Sequence, residues 1–401
     1  MERFPLHFFY KKDYINLLRQ KSMETRQAIK VVEAKSKSQM KAFATFPVKL
    51  YRHCKYFVPS IVEDEMVIMD GEKNFAKKRS DVRCFLAYKN GKLAGRICGI
   101  LNHDSNEKFQ EKNLRFSRVD FIEDINVLKA LLNVLMKWAI EEGLEKIHGP
   151  WGFNDTDREG MLTYGFDKLS NYATNYSYPY YVRMFEDLGF QKESEWIEFQ
   201  FDVDHTDPRF HDIALKLKDK GYRDLTETMT VKQIIKQYGD KFFDCYNKAY
   251  AQLDNFVPIE GEAKKTTLSQ FATLIKRKFF SLIVDKNDDV VAFGVGLPHI
   301  GKALRNAKGR MLFAAIPILY SIHFPYAIEL ALIGVDPKYR NHGIHAMVVD
   351  RFITNVKKYN IRDVWMDPVL TTNSKMLQTW KGMEKTVRQK RQTFIRKVEI
   401  L

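Results

Sequence analysis

One order of elements, read from hydrophobic periodicity, occurs twice along this chain, and it restricts the fold more than any other feature. In the first half, residues 24–45 have the spacing of an amphipathic helix, with Ile29, Val32, Ala34, Met40 and Phe43 on one side and lysines between them. A loop with Phe46-Pro47, Leu50-Tyr51 and Val58-Pro59 follows. Cys84–Leu101 then reads as a β-hairpin turning at Asn90-Gly91. Val127–Glu142 is helical and stops at Gly143, and a strand begins at Ile147. The second half repeats the order: helix Phe242–Leu253, strand Phe279–Val284, a turn at Asp285–Asp288, strand Val290–Leu297, strand Ala327–Val335, helix Ile344–Tyr359 and strand Val364–Met366. The repeat is one of architecture, not of sequence. It predicts an α/β (α+β) protein with two mixed central sheets flanked by helices. The 401 residues suit two or three domains. The composition turns polar between Phe201 and Tyr222, so the expected division is a helical extension over 1–45, a first domain over 46–203 and a second over 204–401.

Residues 311–335 are apolar over a length that could span a bilayer. Pro317, His323, Pro325 and Glu329 interrupt them, which argues for a helix to about Tyr320, a break at Pro325 and a buried strand over 326–335. The segment 1–22 lacks the uninterrupted apolar core of a signal peptide. It reads as a short amphipathic helix, packed on the body or lying on a membrane surface, and Met23 is a second candidate start. Cys54, Cys84, Cys98 and Cys245 lie far apart without a CxxC pair, which disfavours a zinc ribbon or a disulfide scaffold and fits reduced thiols in a cytoplasm. The ten histidines lack paired spacing on a helix, so no metal is expected. The net charge of +15 calls for an anionic partner: nucleic acid, a lipid surface or a phosphorylated cofactor. The basic residues are spread along the chain without a zinc finger, RRM or helix-turn-helix signature, which disfavours nucleic acid. Lys302, Arg305, Lys308 and Arg310 precede the apolar helix. With Lys385, Arg388, Lys390, Arg391, Arg396 and Lys397 they predict a positive face suited to an anionic membrane surface or to the phosphates of a long acyl-CoA.

The most informative string is Val335-Asp-Pro-Lys-Tyr-Arg340-Asn341-His342-Gly343-Ile344-His345, which leaves a buried strand and opens a helix. Free backbone N–H groups at a helix N-terminus, with a glycine and an arginine, make a pyrophosphate cradle. Arg340 can add a charge-assisted bond, and Gly343 lets the backbone approach closely. Here the chain resembles the GCN5-related N-acetyltransferase (GNAT) superfamily, whose acyl-CoA signature is Arg/Gln-x-x-Gly-x-Gly/Ala between a V-shaped strand and a helix. His345 departs from the small last residue. The family's Asn opening the last helix is matched by Asn373, while the Tyr seven residues on, its usual acid, is replaced by Trp380. A narrower resemblance, to bacterial tandem GNAT-like proteins, rests on an ordered set of short motifs. These are Phe46-Pro47, Leu50-Tyr51, Val58-Pro59, Gly95-Arg96-Ile97, Gly149-Pro150, Asn154-Asp155, Gly160-Met-Leu162, Gly165-Phe166-Asp167, Tyr180-Tyr181, Leu188-Gly189-Phe190 and Gly309-Arg310. The resemblance implies two tandem GNAT-like acyl-CoA N-acyltransferase folds, with the CoA loop kept only in the second. The matching segment of the first, Phe121–Ile125, is acidic and lacks glycine.

The resemblance implies acetyl-CoA or a longer acyl-CoA as co-substrate, held by Val335, Arg340, Asn341, His342, Gly343, Ile344 and His345. For the acceptor amine, Trp151–Asp167 is rich in polar groups and precedes a tyrosine cluster. Asn154, Asp157, Tyr180 and Tyr181 are candidates to hold an ammonium by charge and cation–π contact, and Asp155 to deprotonate it. The competing reading is a solvated turn started by Asp155 and Asp157. Glu329, in an apolar strand, is the second candidate base, and Asn373 completes the catalytic set. His299 and His323 read as structural. The expected activity is transfer of an acetyl or longer acyl group to a small-molecule or lipid amine by a cytoplasmic or membrane-peripheral protein. A catalytically inactive GNAT-fold module that binds a ligand or partner is the alternative, prompted by His345 and Trp380.

Overall fold

In a computed structural model, residues 29–70, 74–154, 157–253, 256, 258–380 and 382–401 are described. Expectations for 1–28 and Asp155 fall outside them. Ile29-Lys-Val-Val-Glu33, rich in β-branched side chains, is strand β1 (Ile29–Glu33) rather than part of a helix, paired antiparallel with β2 (Ser80–Lys89). The helix begins only at Ser36, whose hydroxyl and the Gln39 side chain form a capping box, and α1 (Lys37–Leu50) runs through Pro47. Proline removes the N–H that would bond Phe43 O, and that carbonyl accepts from Arg96 Nη1 instead, at 3.0 Å. The predicted loop therefore starts five residues late. A short helix, α2 (Val62–Met66), follows.

The hairpin β2–β3 (Lys92–Asn102) turns where Asn90-Gly91 placed it, with Asn90 at φ 52 and Gly91 at φ 74. After α3 (His103–Phe109), β4 (Asn113–Phe121) pairs with β3, and α4 (Ile125–Glu141) buries Leu128, Leu131, Leu132 and Leu135 against the sheet. β5 (Lys146–Gly149) runs parallel to β4. β6 (Met161–Tyr164), α5 (Tyr180–Asp187) and β7 (Gln191–Phe201) complete this half. The second half contains α6 (Arg209–Asp219), β8 (Arg223–Asp224), α7 (Val231–Tyr250), α8 (Glu262–Phe271), β9 (Phe280–Val284), β10 (Val290–Pro298), α9 (Gly301–Asn306) and α10 (Met311–His323). β11 (Ala327–Val335), α11 (His345–Lys358), β12 (Asp363–Met366), β13 (Val369–Leu370), α12 (Ser374–Thr379) and β14 (Lys385–Lys397) follow.

All of these strands belong to one 14-stranded sheet ordered β1-β2-β3-β4-β5-β14-β7-β12-β11-β10-β9-β8, with β13 on β7 and β6 on β14. The last strand of the chain thus lies inside the first half, between β5 and β7, while β7 joins the second half through β12. This removes Arg388 and Arg391 from the expected positive face, while Lys385, Lys390 and Arg396 are half-buried and Lys397 is exposed. Arg388 and Arg391 are buried, and both pair with the fully buried Glu198 of β7, at 3.3 and 2.6 Å. No helix among the described residues is long and apolar enough to cross a membrane.

Candidate functional site

β11 and β12 run parallel from Ala327↔Asp363 to Leu330↔Met366, then separate, with one further bond from Asp367 N–H to Leu330 O at 3.2 Å. At the same point the β10–β11 ladder slips by one residue between Val295 and Gly296, leaving Ala331 as a bulge. From Ala331 to Val335 the β12-facing edge of β11 has no strand beside it, and Leu330, Ala331, Leu332, Ile333 and Val335 are only half-buried. The result is a cleft with a wall of extended backbone.

At the outer end of that wall is the Val335–His345 loop. Asn341 and Gly343 take positive φ, 65 and 77. A Cβ on Gly343 would lie 3.1 Å from Ile213 Cγ2 of α6. Ile344, the cap of α11, provides no side-chain bond. Among the described residues, the N–H groups of Asn341, His342, Gly343, Ile344 and His345 find no acceptor. A helix N-terminus with five unspent donors and a glycine floor fits an anionic phosphate group. His345 does not fill this space: its ring stands edge-on to Phe210, 6.2 Å between centroids, and burial lowers its pKa, which favours the neutral imidazole. Arg340 donates from Nη2 to Ala249 O at the end of α7, 2.8 Å away. Its other guanidinium nitrogens remain available to a ligand.

At the inner end, just before the strands part, Glu329 is buried and hydrogen-bonded to His299 Nδ1. The His299 ring lies 4.7 Å from that of Trp365 and 5.5 Å from that of Tyr326. His299 Nε2, the Tyr326 hydroxyl and Trp365 Nε1 are all buried without a partner. Three such atoms around one carboxylate are unusual in a folded chain and mark a place for a polar ligand or water. His299 is therefore part of the site, a residue that sequence reading assigned to structure. Its signal was the spacing of β10 and β11, which pairs Leu297 with Glu329. Beyond Trp365, Asp367 accepts from Asn171 Nδ2 at 2.9 Å, and the Arg388 guanidinium lies 4.0 Å over the Trp365 ring. Burial, with the Glu329 and Glu198 carboxylates nearby, holds the Asp367 pKa well above the ordinary range. Asn171 comes from the first half and Arg388 from β14, so distant parts of the chain build this wall.

The other candidates lie elsewhere. Asn373 is half-buried and spends its side-chain oxygen capping α12, on Met376 N–H at 3.1 Å. Trp380 is buried against Phe201. Tyr180 donates to Phe121 O at 2.5 Å, and Tyr181 bonds Phe121 N–H at 3.1 Å and Tyr51 at 2.8 Å. Both tyrosines thus occupy the end of β4, where the first half would carry the counterpart of the β11 wall. Tyr180 also lines an open cavity with Glu123, Tyr178, Pro179 and Arg183. Asp157 accepts twice from Arg118, at 3.2 and 3.3 Å, within an ionic cluster of Arg96, Arg118, Glu65 and Asp120 around a narrow cavity of about 30 Å³. Asn154 sits at the adjoining turn, its carbonyl accepting from Asp157 N–H. At the start of α4, Asp124 caps Asn126 N–H and pairs with Lys89, so that helix terminus is already occupied by a carboxylate. His323 bonds Leu319 O within its own helix. Asp202, His205 and Glu384 bring ligand atoms within 4.8 Å of one another at the exposed seam; an acidic surface group of this kind is not in itself a metal centre.

The continuous 14-stranded sheet, with its cleft where β11 and β12 part, has the tandem GNAT fold. A tandem GNAT protein from the clavulanic acid biosynthesis pathway superposes with TM-score 0.55 at 10% identity, over 93% of this chain and 99% of its own. The GCN5-related glucosamine N-acetyltransferase region of a fungal multi-domain GH3 β-N-acetylglucosaminidase gives TM-score 0.54 at 10% identity, over 92% of this chain and 38% of that one. No family model matches the chain. Among sequences, Protein YghO of Escherichia coli (strain K12) is 24% identical over 348 residues, 85% of this chain and 88% of that protein. The bacterial ceramide synthase of Caulobacter vibrioides (strain NA1000 / CB15N) is 21% identical over 326 residues, 79% of this chain and 83% of that protein.

Proposed function

We propose that this protein is an acyl-CoA-dependent N-acyltransferase whose acceptor is an amine carrying an apolar chain. The observation that carries this reading is one strand with a phosphate cradle at its end and a buried carboxylate–imidazole pair six residues back, at the point where the sheet opens. About 20 Å of extended backbone separates the two, and the strand edge between them, where Ile333 O accepts from the Tyr250 hydroxyl at 3.3 Å, has further amide groups to offer the pantetheine arm of CoA. Bound acyl-CoA supplies a thioester as acyl donor. The N–H groups of Asn341–His345 hold its phosphates, with Arg340 adding charge. Glu329 takes the proton from the amine nitrogen as the N–C bond forms, and the C–S bond breaks to release CoA thiolate. His299 fixes the Glu329 carboxylate through Nδ1. The apolar acceptor is supported by the relative named as a ceramide synthase, whose product is a lipid amide, and by the apolar surface of α10, which leads through Pro325 into β11.

The test is thiol release from acetyl-CoA and palmitoyl-CoA, offered with short polar amines and with long-chain amino alcohols. Release with a long-chain amine that is lost in Glu329→Gln supports the reading. Acyl-CoA binding without release for any amine favours instead a binding module without turnover. The burial of Trp380, in the place of the family's acid, is the observation behind that second reading.

A further inference from the structure

Helix α10 is apolar on every side, which in a globular protein ordinarily means a helix buried all round. Here only Ala314, Ile318 and Ile322 are buried, against Val58, Ala303 and Leu304. The outward side is exposed: Leu312 83%, Phe313 59%, Ile316 80%, Leu319 55%, Tyr320 66% and, just past the helix end, Phe324 68%. No Asp, Glu, Lys or Arg occurs from residue 311 to 328. The exposed Lys302 stands past the helix end, its Nζ 3.8 Å over the Tyr326 ring. At the helix start Lys308 and Arg310 are exposed, and the guanidinium of the half-buried Arg305 bonds the carbonyl of the exposed Lys55. Two exposed carboxylates also stand there. Glu63 accepts the Met311 N–H at 3.3 Å, and the Asp64 pKa is raised by burial and its acidic neighbours. The collar is nonetheless cationic, four positive groups to two negative.

We propose that α10 docks this protein on an anionic lipid bilayer, lying in the interface with Leu312, Ile316, Leu319 and Tyr320 among the acyl chains and the basic collar against the headgroups. Thirteen residues make a helix of about 20 Å, too short for a hydrocarbon core of roughly 30 Å, so the helix lies on the membrane rather than across it. Charge complementarity selects lipid over a second copy of this strongly basic chain, which would bring two cationic collars together. The proposal rests on the acyl-transfer reading only for its purpose. A docked α10 puts the mouth of the Glu329 cleft, three residues past Tyr326, beside the surface where an amino-lipid resides.

The experiment is sedimentation with vesicles and needs no turnover. The full-length protein is mixed with phosphatidylglycerol/phosphatidylcholine vesicles and with phosphatidylcholine vesicles alone, at low and high salt. Expected is pelleting with the anionic vesicles that weakens with salt, and partitioning at least about tenfold weaker for Leu312→Glu/Ile316→Glu. Both side chains are more than three-quarters exposed, so the double variant is expected to keep the wild-type thermal transition. Ile316→Trp gives an independent reading, a blue-shifted emission on anionic vesicles. Wild-type protein left in the supernatant, equal pelleting of the double variant, or an unshifted Ile316→Trp emission overturns the proposal. So does a lipid-free dimer in sedimentation velocity that the double variant dissociates, which would assign the face to a second copy.

Discussion

Gly343→Val is the sharpest probe of the phosphate cradle. At φ 77 the native backbone suits glycine. An L-residue there costs at least about 1–2 kcal/mol, and a β-branched one is a steric outlier. The new Cβ also starts 3.1 Å from Ile213 Cγ2, before its two methyl groups are counted. The loop must therefore leave its native path, which turns the peptide planes that aim the N–H groups of 342–345. Each charge-assisted bond lost is worth about 1.5–3 kcal/mol, which is about 10- to 150-fold in affinity for one bond. The control is Gly221→Val. Gly221 has φ 90, and the nearest atom to its added Cβ is Lys286 Cβ at 3.8 Å, away from the cradle. Both variants lose comparable stability, but only Gly343→Val loses acetyl-CoA affinity, as read by calorimetry beside thermal unfolding. If Gly343→Val binds acetyl-CoA as tightly as Gly221→Val while unfolding equally early, the loop does not hold the phosphates and the argument fails.

Glu329→Gln is expected to slow acyl transfer by about 10²–10⁴-fold with acyl-CoA affinity little changed; equal rates in single-turnover assays would remove Glu329 as the base. Gly301→Ala places a Cβ 2.6 Å from His299 Nε2, so it should lower kcat by displacing the imidazole that fixes Glu329, while Ala at nearby exposed Asn306 serves as a neutral control. Arg391→Leu leaves the fully buried Glu198 with only the 3.3 Å contact to Arg388 among arginines. It should cost about 3–5 kcal/mol, and the double change with Glu198→Leu should recover much of that in denaturant titrations. The raised Asp367 pKa gives a pH signature. From about pH 3.9 upward the unfolded chain releases this proton while the folded chain keeps it, so wild-type stability falls as pH rises through that window. Asp367→Asn carries no such penalty, and its advantage in thermal unfolding should widen from pH 5 to pH 8; a constant gap would show that the carboxyl ionises freely.

What could be read from the residues was local. The Asn90-Gly91 hairpin, the leucine stripe of α4, the break at Pro325 and the Val335–His345 turn each announce themselves within a dozen positions. Glu329 was visible as a carboxylate where none is cheap. The residues that escaped are those whose meaning depends on a distant partner. Lys-Thr-Val-Arg-Gln-Lys-Arg, the start of β14, has the polarity of a solvated surface. Its Arg388, Gln389 and Arg391 are nevertheless buried, because Glu198 and backbone carbonyls of 169 and 175 satisfy the arginines. The partners of Asp157 and of the tyrosine hydroxyls, Arg118 and the backbone of Phe121, lie 39 and about 60 positions away, so no local pattern shows them. His299 looked structural because its carboxylate partner is 30 residues downstream.

The placement of β14 has a consequence for how this chain is made. On the ribosome, β5 and β7 emerge with a vacant lane between them, and the strand that fills it follows only at residue 385. The roughly 180 residues in between take about 10–40 s at ordinary elongation rates. During that interval two open strand edges face solvent or a chaperone. A nascent chain stalled before residue 385 should be bound by chaperones and sensitive to protease across its first half, whereas a chain extended past residue 397 should close both halves together.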